Sequence, residues 1–387
     1  MTPGLAPLGL YIHWPFCARI CPYCDFNVYR ARGETDTLLA AMLRDLEGQA
    51  RQLEREGMHR PLVSLHFGGG TPSLMRPDQI AALIEAADRW FGFEDGIEIG
   101  LEANPKEAAG FADIVAAGVN RLSLGVQSFD DDVLRRLGRD HDGNSARRAL
   151  DTLLALDVRH SADLIYAWAG QSLDDWVAEM DALLGAGVRH VSPYQLTIEP
   201  GTAFGKRADR GELLIVDEDE GARFFEVTQS VLSDGGVPAY EISNHAASAS
   251  DQSRHNRLYW EGADWLGLGP GAHGRWGESG RGGRRATAAL RRPADYIARV
   301  SLAGTGLEPI EILSSKDEAA ERILMGLRTM DGLDRDCLRA KTSHDIDTDT
   351  SLDFARQGLV SLSQDRIALT PAGRLYADRI AQELVPE

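Results

Sequence analysis

Cys17, Cys21 and Cys24 stand within eight residues, in the run Cys17-Ala-Arg-Ile-Cys21-Pro-Tyr-Cys24, while the remaining cysteine, Cys337, lies more than three hundred positions away. A secreted disulfide framework spreads an even number of cysteines through a fold, so this crowding points to metal or redox chemistry. Three thiolates on one loop suit a four-iron, four-sulfur (4Fe-4S) cluster with one iron left open to a substrate or cofactor. A zinc site completed by His13, or buried cysteines without a role, are the alternatives these residues leave open. Cys337, between Leu333 and Leu338 in a helical pattern, reads as a buried or partly buried thiol rather than a ligand.

A second constellation is His66-Phe-Gly-Gly-Gly70-Thr71-Pro-Ser73. Its glycines allow backbone to approach a ligand closely and expose amide donors to a carboxylate or carbonyl. Glu102 is a candidate acceptor for ribose hydroxyls or an amine, Gln127 bridges polar groups, Arg139 suits a carboxylate, and Asp163 follows in Asp163-Leu-Ile-Tyr166. Farther on, His255-Asn256-Arg-Leu-Tyr259-Trp260 places an imidazole beside two aromatic rings, with His273 a second candidate ligand. By themselves these residues read as an aromatic core turn holding a satisfied histidine.

These residues must be positioned by a scaffold. Apolar β-branched runs predict strands at Leu8–His13, Leu62–Phe67, Ile97–Leu101, Arg121–Val126, Ala162–Tyr166 and Val191–Leu196. Amphipathic stretches predict helices at Asp36–Glu56, Pro77–Trp90, Glu107–Ala117, Asp130–Leu137, Ser145–Leu156 and Leu173–Leu184, with Gly118 and Gly187 where C-terminal caps belong. Strands alternating with helices argue for a parallel α/β sheet, partly closed into a barrel, with functional residues at the strands' C-terminal ends. Most of the polar clusters above follow a predicted strand. Beyond residue 201 come a charged helix, Asp217–Leu232, a strand-like Ala239–Ile242, a Gly- and aromatic-rich His255–Trp276 and an exposed Gly/Arg-rich loop, Gly277–Arg285. The end of the chain predicts helices at Glu318–Arg328, Asp334–Ala340 and Thr350–Gln357, a β-wing within Leu359–Thr370 and a helix over Pro371–Leu384. The expected division is 1–200 barrel core, 201–300 extension and 301–387 helical or winged unit.

The 387 residues carry 41 Lys and Arg against 59 Asp and Glu, a net charge of −18, which repels phosphate backbones and anionic lipid. No nucleic-acid partner is therefore expected, even for a winged tail. With 43% hydrophobic and 26% charged residues the chain has a globular composition. Neither a run of eighteen apolar residues nor a leader pattern is present, so a cytoplasmic location is expected.

The C-x3-C-x2-C spacing with its surrounding aromatics resembles the defining motif of the radical S-adenosylmethionine (radical SAM) superfamily. Tyr11-Ile-His-Trp-Pro-Phe-Cys17, the glycine run, Glu102-Ala-Asn-Pro, Gly125-Val-Gln-Ser-Phe129, Asp163-Leu-Ile-Tyr and Leu369-Thr-Pro-Ala-Gly-Arg374 together resemble the HemN/HemW branch. That branch holds oxygen-independent coproporphyrinogen III dehydrogenases and heme chaperones. The resemblance implies a partial (β/α)6 barrel with a mixed heme-motif region and a C-terminal helical or winged domain. It also implies a 4Fe-4S cluster on Cys17, Cys21 and Cys24. S-adenosyl-L-methionine would meet Tyr11, Tyr23, Gly69, Gly70, Thr71, Glu102, Gln127, Arg139 and Asp163. Two local features separate the branches. The dehydrogenases carry a further cysteine two residues past the third, where this chain has Phe26, and Ser253-Arg-His255-Asn256-Arg-Leu-Tyr259-Trp260 is similar to the chaperones' H-N-x-x-Y-W signature. The chaperone branch implies heme binding at His255, Asn256, Tyr259 and Trp260. It further implies transfer to an acceptor hemoprotein such as a membrane-bound respiratory subunit, work at the inner membrane face, and a homodimer as an allowed form. Oxidative decarboxylation of coproporphyrinogen III is the alternative activity. The chain departs from the branch after the fifth strand, where Ala167-Trp168-Ala169 replaces Gly-Leu-Pro, which alters the loop's allowed dihedrals and makes a second S-adenosylmethionine less expected.

Overall fold

The computed structural model describes residues 5–31, 33–277 and 283–386. Its first half runs β1 (Leu8–Trp14), α1 (Thr35–Arg55), β2 (Leu62–Gly69), α2 (Pro77–Phe91), β3 (Phe93–Ala103), α3 (Phe111–Ala116), β4 (Arg121–Gln127), α4 (Asp131–Arg136), α5 (Gly143–Leu154), β5 (Arg159–Tyr166), α6 (Leu173–Ala186) and β6 (His190–Gln195). All six strands are parallel and adjacent in chain order. The helices between them are the crossovers that parallel pairing requires, and the period-two alternation of side chains then gives each strand two faces. One face of β1 presents Leu8, Leu10, Ile12 and Trp14, all essentially inaccessible, to a core that includes Leu38, Met42 and Leu46 of α1. The other face presents Tyr11 and His13, and its neighbours continue it with Ser64 and His66, Glu98 and Glu102, Ser123, and Asp163. The barrel interior is therefore polar where the helix-facing side is apolar.

The segment after α7 (Ala203–Ala208) and α8 (Glu218–Asp234) extends this sheet at both edges. Strand β7 (His245–Ala246) pairs antiparallel with β6. After α9 (Arg254–Trp260), β8 (Asp264–Leu268) pairs parallel with β1 on the opposite side. Antiparallel β9 (His273–Trp276), β10 (Arg285–Ala288) and, after α10 (Pro293–Ala303), β11 (Glu311–Ile312) complete eleven strands among the described residues. Strands β7 and β11 do not meet, so the barrel is open.

Strands β8 to β10 lie in stretches whose glycines hide them from a pattern reading. At Gly267 a Cβ would stand 2.4 Å from the His273 carbonyl oxygen, so the glycine is what lets β8 and β9 close. Positions 278–282 of the expected Gly277–Arg285 loop lie outside the described residues. The expected strand at Ala239–Ile242 is reduced to two isolated bridges. The expected helix at Glu107–Ala117 divides into a 3-10 turn, Pro105–Gly110, and α3.

The C-terminal unit has its own core, including Ile323, Leu338, Phe354, Ile367 and Ile380. It holds α11 (Ser315–Gly326), α12 (Arg335–Thr342), α13 (Thr348–Arg356) and a three-stranded sheet in which β14 (Arg366–Leu369) lies between β12 (Leu333–Asp334) and β13 (Val360–Leu362). The last expected helix is two, α14 (Pro371–Arg374) and α15 (Ala377–Glu383). Cys337 is exposed, a correction to the buried thiol expected: Leu338 points into this core, and its neighbour, about 100° around the helix, points outward.

Candidate functional site

The cysteine loop leaves the C-terminal end of β1. Its neck is closed by the Cys17 N–H donating to the Tyr29 carbonyl (2.9 Å) and the Tyr29 N–H to that of Pro15 (2.7 Å). Asn27 pins the far end, donating to the carbonyls of Pro270 (2.9 Å) and Arg291 (2.7 Å). Gly138, at φ +67°, admits Pro22, because a Cβ there would stand 2.5 Å from the proline Cδ. All three thiols are half-buried and free. Burial pushes the Cys24 thiol up to about 11 and raises that of Cys17, against which a hydrogen bond with Thr71 works. Uncomplexed, these thiols keep their protons, and ligation must displace them. Phe26, on the same loop, is 62% exposed.

His13 does not complete a zinc site. Its Nε2 donates to the Asn27 carbonyl (3.0 Å) and its Nδ1 accepts from the Tyr11 hydroxyl (3.1 Å), so both ring nitrogens are engaged. Among the described residues no three His, Cys, Asp or Glu side chains form a ready single-ion site.

The glycine run ends β2 directly against this loop. The Gly70 N–H donates to the Trp14 carbonyl (2.7 Å) and the Thr71 N–H to that of Phe16 (2.9 Å). The Gly69 N–H reaches Glu102 Oε2 (3.2 Å). The amides expected to face a ligand are thus spent on docking the run to the cysteine loop and orienting Glu102. Absence of side chains is what the geometry demands: a Cβ at Gly68 would meet Tyr11 at 2.8 Å and Glu102 Oε1 at 2.9 Å, and one at Gly69 (φ +108°) would enter the His13 ring. Tyr11, Gly69, Gly70, Thr71 and Glu102 therefore share one wall beside Cys17.

Across the barrel mouth, Gln127 ends β4 in the left-handed region (φ 66°) at a register shift against β5. Backbone strain in a non-glycine residue marks a position held for a purpose. Arg139 donates to the Gly125 carbonyl (3.3 Å) and lies 3.5 Å from the Cys21 sulfur, with Nε buried and unpartnered. Although burial opposes it, proximity to Tyr23 and Cys21 holds the Arg139 guanidinium firmly protonated. Asp163 accepts from the Ser123 hydroxyl at 3.1 and 3.2 Å. Burial raises its carboxyl to about 7, with hydrogen bonds from Ser192 and Ser123 opposing and the Glu102 charge adding to the rise. After β5, Ala167 is left-handed (φ 64°), a conformation that a glycine would adopt without cost.

The H-N-x-x-Y-W segment forms α9, capped by the Ser253 hydroxyl accepting from the Asn256 N–H (3.2 Å). This helix lies at the N-terminal side of the barrel strands, away from the cysteines. Its start is anchored on buried Glu98, whose Oε1 accepts from the His255 N–H (2.9 Å). The His255 ring is 1% exposed, with Nδ1 2.8 Å from Ser64 Oγ and Nε2 2.8 Å from the Tyr259 hydroxyl. Burial, with His66 nearby, depresses its pKa well below the ordinary value, so the ring is neutral. It stacks on His66 (4.9 Å between centroids, 15°), whose Nε2 stands 3.4 Å from Glu102 Oε1. Asn256, Tyr259 and Trp260 are half-buried. Ser64, Ser123 and Ser192 thus join the site unforeseen, beside His66 at the head of the glycine run, although the alternation of polar residues along the strands was the signal that marked them.

Three free thiols on one loop, a glycine cradle that a Cβ would fill and an unpartnered arginine nitrogen beside Cys21 fit a cluster with a bound cofactor. The comparisons agree. The model of the Radical SAM superfamily matches residues 11–183, and that of the HemN C-terminal domain matches residues 313–376. The chain is 35% identical to Heme chaperone HemW of Mycobacterium tuberculosis, over 99% of this chain and 97% of that protein. It is 39% identical to the mitochondrial Radical S-adenosyl methionine domain-containing protein 1 of Bos taurus (86% and 75%), and 37% identical to Heme chaperone HemW of Escherichia coli (70% and 71%). The solved structure of coproporphyrinogen III oxidase (HemN) of Escherichia coli superposes with a TM-score of 0.82 at 22% identity, covering 98% of this chain and 90% of that one. The chain belongs to the radical SAM superfamily. Within it, the chain is a member of the HemN/HemW family, with HemW proteins among its curated relatives.

Proposed function

We propose that the protein is a heme chaperone: it binds heme and passes it to an acceptor hemoprotein. The observation that carries this reading is the end-to-end similarity to a HemW protein, 99% of one chain against 97% of the other. Phe26 supports it, since the dehydrogenases place a cysteine at that position of the loop.

Cys17, Cys21 and Cys24 would hold a 4Fe-4S cluster, which supplies electrons at low potential and an open iron when bound. The Tyr11, Gly69, Gly70, Thr71 and Glu102 wall is suited to the amino-acid end of S-adenosylmethionine, with Glu102 the acceptor for an ammonium. Arg139 and Tyr23 flank Cys21, Gln127 faces them, and Asp163 lies below as an acceptor for hydroxyls. Heme is assigned to the α9 segment of His255, Asn256, Tyr259 and Trp260. Because both His255 nitrogens are engaged, that ring ligates iron only after leaving Ser64 and Tyr259. No helix of the described residues is long and apolar enough to cross a membrane.

The test is hemin titration of the anaerobically reconstituted protein, followed by transfer to an apo-hemoprotein monitored by absorbance. Stoichiometric binding and transfer are expected. Conversion of coproporphyrinogen III to protoporphyrinogen in the same preparation would overturn the chaperone reading in favour of the dehydrogenase.

A further inference from the structure

Under the chaperone reading, on which this inference rests, two ligand sites share one barrel: the wall of Tyr11 and Glu102, and the α9 segment around His255. His66 on β2 touches both. Its Nε2 stands 3.4 Å from Glu102 Oε1, and its ring stacks on that of His255, with 4.9 Å between centroids and 15° between planes. Tyr11 lies against the same pair, 6.4 Å from the His66 ring and 6.3 Å from the His255 ring. The His66 Nδ1 is buried and has no partner among the described residues. A single long bond to Glu102 therefore orients the ring.

We propose that His66 is a positioning residue that couples the two sites: it holds the His255 ring closed while Glu102 accepts its N–H, and lets that ring go when Glu102 turns to an ammonium, so that S-adenosylmethionine and heme tighten each other's binding.

Three features carry the proposal. The first is that the link to Glu102 is easily exchanged. At 3.4 Å it lies beyond the roughly 2.7–3.2 Å of an ordinary N–H···O bond, whereas an ammonium on the same oxygen makes a charge-assisted bond of about 2.7–2.9 Å. The Glu102 side chain is 41% exposed, with Oε2 steadied by the Gly69 N–H at 3.2 Å and Oε1 within reach of a ligand. The second is that the His66 ring has no slack toward β3, because a Cβ at Gly100 would stand 2.5 Å from its Nδ1. A displaced ring therefore moves against His255 and not away from it. The third is the fate of the ring once Glu102 is taken. It then holds two unpaired nitrogens in a buried place, which is unfavourable. The Ser64 hydroxyl, two residues earlier on the same face of β2, is the partner at hand, and it is bonded to His255 Nδ1 at 2.8 Å. When His66 takes that hydroxyl, His255 retains its bond to Tyr259 (2.8 Å) and its Nδ1 is freed for iron. Filling the one site thus uncovers the ligand of the other, and linkage makes the effect reciprocal.

The experiment titrates hemin into the full-length protein with its cluster reconstituted and kept oxidised, without and with saturating S-adenosylmethionine. The hemin Kd is read from Soret difference spectra. In the wild type it should fall about fivefold or more when S-adenosylmethionine is present, and the Kd of S-adenosylmethionine, by calorimetry, should fall by the same factor with hemin. His66→Phe keeps a ring on His255 and removes the bond to Glu102, while His66→Gln keeps a donor and removes the stack. Calorimetry confirms that each variant is saturated with S-adenosylmethionine, and melting temperature confirms that it folds. In both variants the ratio of the two hemin Kd values should fall to about one, whatever the absolute affinity. A purely structural role would change both Kd values alike and leave their ratio at the wild-type value. A wild-type hemin Kd indifferent to S-adenosylmethionine, or a wild-type ratio in either variant, overturns the coupling and leaves the chaperone reading standing. Failure of the wild type to bind hemin under both conditions overturns both.

Discussion

The cysteine loop and α9 sit at opposite ends of the same barrel strands and present opposite chemistry. At the C-terminal ends, groups are left open: three half-buried thiols outside any disulfide, an unpartnered Arg139 nitrogen and a strained Gln127. At the N-terminal side, the histidine of α9 is closed: His255 bonds Ser64 and Tyr259, and its backbone is tied to Glu98. The difference teaches that a motif's chemical types do not say whether it awaits a ligand. Open groups predict loss of binding when replaced, and closed groups predict loss of stability.

The largest expected effect follows at the open end. Replacing Cys17, Cys21 or Cys24 by serine should abolish cluster iron and sulfide after reconstitution, while the melting temperature of the uncomplexed protein stays within a few degrees of the wild type. A collapse of the fold instead would make the thiols structural. At the closed end, His255→Leu strands the hydroxyls of Ser64 and Tyr259 in the core. An unsatisfied buried polar group costs about 1–3 kcal/mol, which chemical denaturation should register. Wild-type stability in that variant would break the comparison. The stack of His255 on His66 predicts a smaller, secondary weakening of S-adenosylmethionine binding, read by calorimetry.

Asp163 lies between the two ends and sharpens the contrast through pH. Its folded-state value of about 7 exceeds the ordinary 3.8, so the folded protein binds the proton more tightly than the unfolded chain. Its contribution is present below pH 4 and is lost as pH rises toward 7. Asp163→Asn should flatten that part of the stability profile, and an unchanged profile would place the charge elsewhere. The smallest effect is expected at Ala167. A left-handed alanine costs about 1–2 kcal/mol, partly offset by the entropy that a glycine loses on folding. Ala167→Gly should therefore stabilise the protein slightly, by a degree or two in melting temperature.

Much of the barrel was legible in the chain. The six strands appear within a few residues of the expected runs because buried parallel strands are written as nearly continuous apolar segments. The cysteine loop and glycine run were equally legible, since their chemistry is local and each follows a strand. Strands β8 and β9 were not, because Gly267 permits a close approach that only its partner His273 makes necessary. Nor was the outward direction of Cys337, which depends on which face of a short helix the C-terminal core claims.

The sequence by itself determined the residue types that hold a cluster, the alternation that makes a barrel interior polar, and the segments that must be helices, all properties of neighbours in the chain. Only the tertiary structure decided that Gly70 and Thr71 spend their amides on the cysteine loop and that His255 is sealed against Ser64, 191 positions away. It also decided that His66 stands between Glu102 and His255. Those pairings depend on how distant segments share a boundary, and burial, not spacing, determines which polar groups remain free to act.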